Sequence, residues 1–166
     1  MNMKFAAHCA LALSGIVLSF AAAPVHAASE ATLESMVTCH DSWLDWKDNP
    51  EPGKKFLETL HAAYTMHSEG YLVPKTKATL LGLPVTRVYT DSVGMGLGFS
   101  VVVAGKFDAA QKAVEKAIGK PLKCEPDSDG MHACEAELGP KKTVTLASDT
   151  GDSNTVLVGC FYYYEK

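Results

Sequence analysis

Residues 155–164 read TVLVGCFYYY, and where this stretch lies decides the fold. β-branched and aromatic residues dominate it, which is strand composition. Alternation puts Val156, Val158, Cys160, Tyr162 and Tyr164 on one face and Leu157, Gly159, Phe161 and Tyr163 on the other. Both sets are apolar, so the strand belongs in the middle of a sheet rather than at its edge.

The residues before it read as a meander. In 142–148, Val144 and Leu146 share one face, with Thr143, Thr145 and Ala147 on the other. Further back, 122–127 and 131–138 flank Ser128-Asp129-Gly130, a three-residue hairpin loop with glycine where φ must be positive. That register sets Glu125 opposite Ala133 and Cys124 opposite Cys134, so a cross-strand disulfide is the expected pairing. Cys39 is then favoured as the partner of Cys160, which bolts the first helix to the last strand and turns Val156, Val158 and Tyr162 toward the helices.

Two more strands are expected upstream. Residues 78–90 form one that is interrupted near Pro84, as an edge or a bulge would be. In 93–104, Leu97, Phe99, Val101 and Val103 point one way, while Gly94, Gly96, Gly98 and Ser100 point the other. Glycines on one strand face make room for a neighbour's aromatics, here Phe161 and Tyr163. A helix follows, with Asp108 as N-cap and Gln111 at N3, a stripe of Ala110, Val114 and Ile118, and Gly119 then Pro121 to end it.

The N-terminal part reads as a helical hairpin. Leu33, Met36, Val37, His40 and Leu44 recur at helical spacing after Ser29, with Cys39, Trp43 and Trp46 on the adjacent stripe. Asn49 and Pro50 open a second helix, Phe56, Leu57, Leu60 and Tyr64 give its inner face, and Gly70 stops it. The expected architecture is α+β: an antiparallel sheet of about five to six strands, with this hairpin and one further helix packed mainly on one face, and two disulfides.

Residues 1–27 read as a signal peptide. Lys4 supplies the positive end, and the apolar run from Leu11 to Ala23 is too short to span a bilayer. Small residues around Ala27 suit cleavage there, which leaves 28–166 as one domain with no membrane insertion. The chain has 166 residues, five cysteines and a net charge of −4. Cleavage removes Lys4 and Cys9, so the charge becomes −5 and the cysteines an even four. Four cysteines in an exported domain read as two disulfides, and the alanine-rich signal points to the periplasm, with release to the medium as the alternative.

Composition excludes several functions. Lysines are scattered and the balance is acidic, which argues against nucleic acid. Gly94-x-Gly96-x-Gly98 lacks the third glycine of a dinucleotide fingerprint and is followed by a strand. No Gly-Lys-Ser/Thr, Gly-x-Ser-x-Gly, Ser-x-x-Lys or Cys-x-x-Cys occurs. Glu125-Pro-Asp127-Ser-Asp129-Gly130 brushes against a calcium loop, but a hairpin turn explains it better. His61 and His67, six apart, point to different sides of a helix and cannot chelate together. No catalytic residue, metal ligand or cofactor is assigned.

The expected function is therefore non-enzymatic: a periplasmic binding protein acting on a protein partner in the cell envelope, as an inhibitor, immunity-type or accessory protein. Its candidate contact face is Leu157, Phe161 and Tyr163 over the floor of Gly94, Gly96 and Gly98. The alternatives are a small-ligand or metal-binding periplasmic protein and an envelope hydrolase whose site is assembled from distant residues.

Overall fold

A computed structural model describes residues 31–90, 92–93, 96–126, 132–149 and 152–162. The signal segment 1–27, Gly94, Tyr163 and the acidic turn at 127–130 lie outside the described residues.

The N-terminal helical hairpin does not form. Helix α1 is only Leu33–Val37, opened by a capping box in which Thr32 Oγ1 accepts from Ser35 N at 3.1 Å and Ser35 Oγ accepts from Thr32 N at 2.8 Å. Thr38 then donates its hydroxyl back to the Glu34 carbonyl at 2.7 Å, and Cys39 turns through left-handed backbone, φ 59°. No α-helix holds that conformation. Residues 40–48 continue as turns, yet Trp43, Leu44 and Trp46 still pack against the core. The apolar spacing of a helix is here satisfied by a folded loop.

Helix α2, Glu51–Ala63, starts after Pro50 rather than at it and buries Gly53, Phe56 and Leu60. It also ends early. Tyr64 goes extended, stays buried, and begins strand β1, Tyr64–Met66, which pairs with β2, Leu72–Pro74. Gly70, φ 85°, is the turn glycine of that hairpin and not a helix stop.

Eight further strands follow. β3, Thr79–Leu80, turns through Leu81 and Gly82, both at positive φ, into β4, Leu83–Tyr89. Pro84 therefore sits in this small hairpin, and the irregularity expected near it is a bulge between Val85 and Arg87. β5 is Ser92–Val93 and β6 is Gly96–Ala104. Helix α3, Phe107–Ile118, has Lys106 rather than Asp108 at its N-cap and closes on left-handed Gly119. β7, Lys123–Pro126, β8, His132–Gly139, β9, Lys142–Asp149, and β10, Asp152–Tyr162, complete the chain.

The strands join as one antiparallel sheet in the order β1-β2-β4-β6-β10-β9-β8-β7, with β5 also on β6 and β3 paired to β4 alone. Among the described residues the main sheet thus has nine strands, not five or six, because three of them are only two or three residues long and leave no periodicity to read. β10 lies between β6 and β9, as a strand apolar on both faces should.

The core is single-sided. Met36 and Val37 of α1, Phe56 and Leu60 of α2, and Ala110 and Val114 of α3 join one cluster with Phe99, Val101 and Val103 of β6 and Val156, Val158, Cys160 and Tyr162 of β10. Phe99 sits at its centre, with ring contacts to Phe56 at 5.5 Å and Trp43 at 6.5 Å. The indoles of Trp43 and Trp46 close over Gly53, where a Cβ would lie 3.0 Å from Trp46. Cys39 is joined to Cys160, and Cys124 to Cys134 in the register Cys124↔Cys134, Glu125↔Ala133. Lys142 holds the 40–48 loop to β9 through Asp45, at 2.6 Å. Among the described residues no helix is long and apolar enough to cross a membrane.

Candidate binding face

Side chains that alternate with the core residues form the opposite face of the sheet, on which, among the described residues, no helix packs. Register places Phe161 between Gly98 of β6 and Thr143 of β9, Gly159 between Ser100 and Thr145, and Leu157 between Val102 and Ala147. A Cβ on Gly98 would collide with the Cys160 carbonyl and lie 3.0 Å from the Phe161 ring; one on Gly159 would lie 2.7 Å from the same ring. The phenyl ring is therefore laid flat across two glycines and is only 7% exposed. Small residues make a seat for it, as glycines inside strands commonly do.

That packing changes what the expected contact residues can offer. Phe161 is a filled part of the surface, Leu157 is half-buried, and Gly98 is the floor under Phe161. Gly96 pairs with Val93 at the far end of β6. Gly94 and Tyr163 lie outside the described residues, so the structure brings together Gly98, Leu157 and Phe161 of the expected set.

Beside them stands a group the sequence reading did not single out. Tyr89 pairs with Ser100 and Arg87 with Val102, which carries both side chains onto the same face as Phe161. His67 stacks on Tyr71 at 4.5 Å with the rings 8° from parallel, Tyr71 meets Tyr89 at 5.8 Å, and the Arg87 guanidinium lies 5.8 Å from the Tyr71 centroid. Arg87 is the chain's single arginine. Its alternation with Val88 in Thr86-Arg-Val-Tyr89 is the signal that could have found it: one buried residue flanked by two that face away. These four side chains are half-buried, so they form a ledge of ring faces with a cation laid against it.

Polar groups on and under the sheet are mostly committed. Ser100 Oγ, fully buried, is an exception with no hydrogen-bond partner. Among the described residues the other is the Tyr162 hydroxyl on the core face, which faces Ser42 and the Trp43 backbone without a well-formed hydrogen bond. Burial pushes this phenol up to about 12.

Two open cavities, each of about 370 Å³, lie elsewhere. One, against β7 and β8, is lined by Lys120, Lys123, Glu125, Glu135 and Glu137; Thr145 donates to Glu135 Oε1 at 3.1 Å. The other lies at the end of α2 beside β1, lined by His61, Tyr64, Thr65, Met66 and Lys75. There Lys75 Nζ donates to the carbonyls of His61 and Ala62, closing the helix. Of the other described histidines, His40 lies beside Thr38 and His132 against Phe107. Among the described residues no group of three or more His, Cys, Asp or Glu is placed to hold a metal ion.

The class that fold and face define is an α+β domain with the three helices of the described residues on one side of a long antiparallel sheet and an aromatic ledge on the other. Beyond that class, no family model, no curated protein and no solved structure matches the chain.

Proposed function

We infer that the chain is exported to the periplasm and acts there, without catalysis, by binding a protein partner of the cell envelope through its helix-free sheet face. The observation that carries this reading is the ledge of Tyr71, Tyr89 and Arg87 continuing past Leu157 to Phe161. Tyrosine and arginine, with tryptophan, are enriched among the residues that anchor protein interfaces, because they offer large contact area with a polar end. The segment 1–27 and the even count of cysteines after its removal support export.

Phe161 is too tightly seated to serve as a probe, so the test uses Leu157→Asp and Tyr89→Ala. Native mass spectrometry of protein drawn from its own periplasm, with crosslinking, should show a bound protein that both variants lose while keeping the wild-type far-UV spectrum. An unchanged partner removes this face. A stoichiometric metal or small-molecule adduct in place of a protein removes the partner reading itself.

A further inference from the structure

The two disulfides occupy opposite environments. Cys39 and Cys160 are 6% and 0% exposed, and Cys160 lies in the middle strand with β6 on one side and β9 on the other. Cys134 is fully buried, but Cys124 is exposed on β7, the last strand of the sheet. Thiol–disulfide exchange needs a thiolate to reach a sulfur, so access separates these bonds.

β7 is also lightly held. Cys124 and Cys134 face each other with Cα atoms 4.0 Å apart, the spacing of a non-hydrogen-bonded antiparallel pair. The ladder to β8 therefore runs through Lys123 and Glu125 alone within this four-residue strand. The open cavity along Lys123 and Glu125 leaves that side unpacked, and buried Leu122 is the nearest apolar anchor.

We propose that Cys124–Cys134 is a site of reversible thiol–disulfide exchange with a dithiol, small or borne by a protein, and that opening it frees β7 and uncovers the edge of β8. One thiolate of the dithiol attacks Sγ of Cys124. A mixed disulfide forms there, the Cys124–Cys134 bond breaks, and Cys134 leaves as a thiolate that takes up a proton. The second thiol of the reagent loses its proton and attacks the mixed disulfide, and Cys124 departs as the second thiol. The protein gains two electrons and two protons, and the dithiol becomes a disulfide. Cys39–Cys160 stays closed, so the fold survives while the backbone groups of Ala133 and Glu135 that paired with β7 become open to a new strand. This inference is independent of the binding face proposed above.

The test is a titration of the native protein with dithiothreitol, quenched by alkylation and read by peptide mass. Cys124 and Cys134 should be labelled at reductant concentrations at least tenfold below those that open Cys39–Cys160. At that point hydrogen exchange should speed up in 123–125 and at Ala133 and Glu135 while β6 and β10 keep their protection. A single-cysteine dithiol bait, lacking its resolving thiol, should be captured at Cys124 and not at Cys134. Simultaneous opening, earlier opening of Cys39–Cys160, or unchanged protection in β8 would each overturn the proposal. The double variant Cys124→Ser/Cys134→Ser gives an independent check: it should fold and show the same exchange pattern without reductant, and a protected β7 in it would also count against release.

Discussion

Along β10 successive side chains enter two kinds of surroundings. Val156, Val158, Cys160 and Tyr162 are buried beneath three helices in a cluster of aliphatic and aromatic residues. Leu157, Gly159 and Phe161 lie on the helix-free side, where burial comes from neighbours in the sheet itself, a ring pressed onto two glycines. The first face gains its stability from long-range layers brought together across the chain. The second depends on fit between adjacent strands, so Phe161, Ser100 and Val102 are buried there while Leu157 stays half-buried. The difference is one of packing mechanism, and it makes the two faces fail in different ways.

The largest break is expected at the helical side. Cys39–Cys160 spans 121 residues and ties the α1 turn to β10, whereas Cys124–Cys134 spans 10. Chain entropy assigns about 5 kcal/mol to the long loop and about 3 to the short one. Paired Cys→Ser variants in urea should rank in that order, with the Cys39/Cys160 pair losing more because two hydroxyls also enter the core. Equal losses would mean the long bridge is not what holds the layer.

A second probe sharpens the same face through its polar exception. The Tyr162 phenol is pushed from 10.0 to about 12 by burial, so the folded state retains a proton that the unfolded state gives up. Its contribution is therefore fully present below pH 10 and lost between pH 10 and 12, reaching about 3 kcal/mol. Tyr162→Phe should be as stable as wild type at pH 7, since the hydroxyl has no well-formed hydrogen bond, and should lose less between pH 10 and 12. A wild-type alkaline slope in the variant would assign that loss to other groups.

On the second face, the comparison rests on one missing methyl. Gly98→Ala puts a Cβ into the Cys160 carbonyl and the Phe161 ring, an overpacking of about 1–3 kcal/mol. Gly139→Ala at the end of β8, with nothing within 4 Å of its Cβ, should be neutral within about 0.5 kcal/mol. Thermal melts of the two variants check this directly. Similar melting points would mean Phe161 is free to move off its seat.

The same contrast explains what the sequence discloses. β10, the register of Cys124 against Cys134 and the Gly119 stop of α3 are legible because each rests on a long alternation or on one local turn. The seat of Phe161 is legible for a related reason, a small residue opposite a large one on neighbouring strands. The helix expected across 29–48 is not, because the apolar spacing runs on past the left-handed turn at Cys39 into a folded loop that packs the same residues. β1 and β2 are too short to announce themselves, and Tyr64 continues the apolar spacing of α2 after the helix has ended. The ledge was hidden for that reason: β2 meets β4 at the pair Leu72↔Val88, and without it nothing brings Tyr71 to Tyr89.

The smallest expected effect tests how the helical layer is fastened at its rim. Past Gly119 the chain turns back, and the Leu122 N–H donates to Glu115 Oε1 at 3.0 Å, while Gln111 donates to the same oxygen at 3.1 Å. These donors hold the Glu115 carboxyl below the usual carboxylate range, with the Leu122 backbone the larger cause. The folded state then binds its proton at lower pH than the unfolded chain. The contribution is complete above the ordinary carboxylate pKa and disappears as pH falls through the lowered one. Glu115→Gln should therefore melt below wild type at pH 7, with the gap closing as pH drops below about 4. A gap that stays constant across that range would show that the side chain acts by shape, and that the turn into β7 is held by Leu122's burial alone.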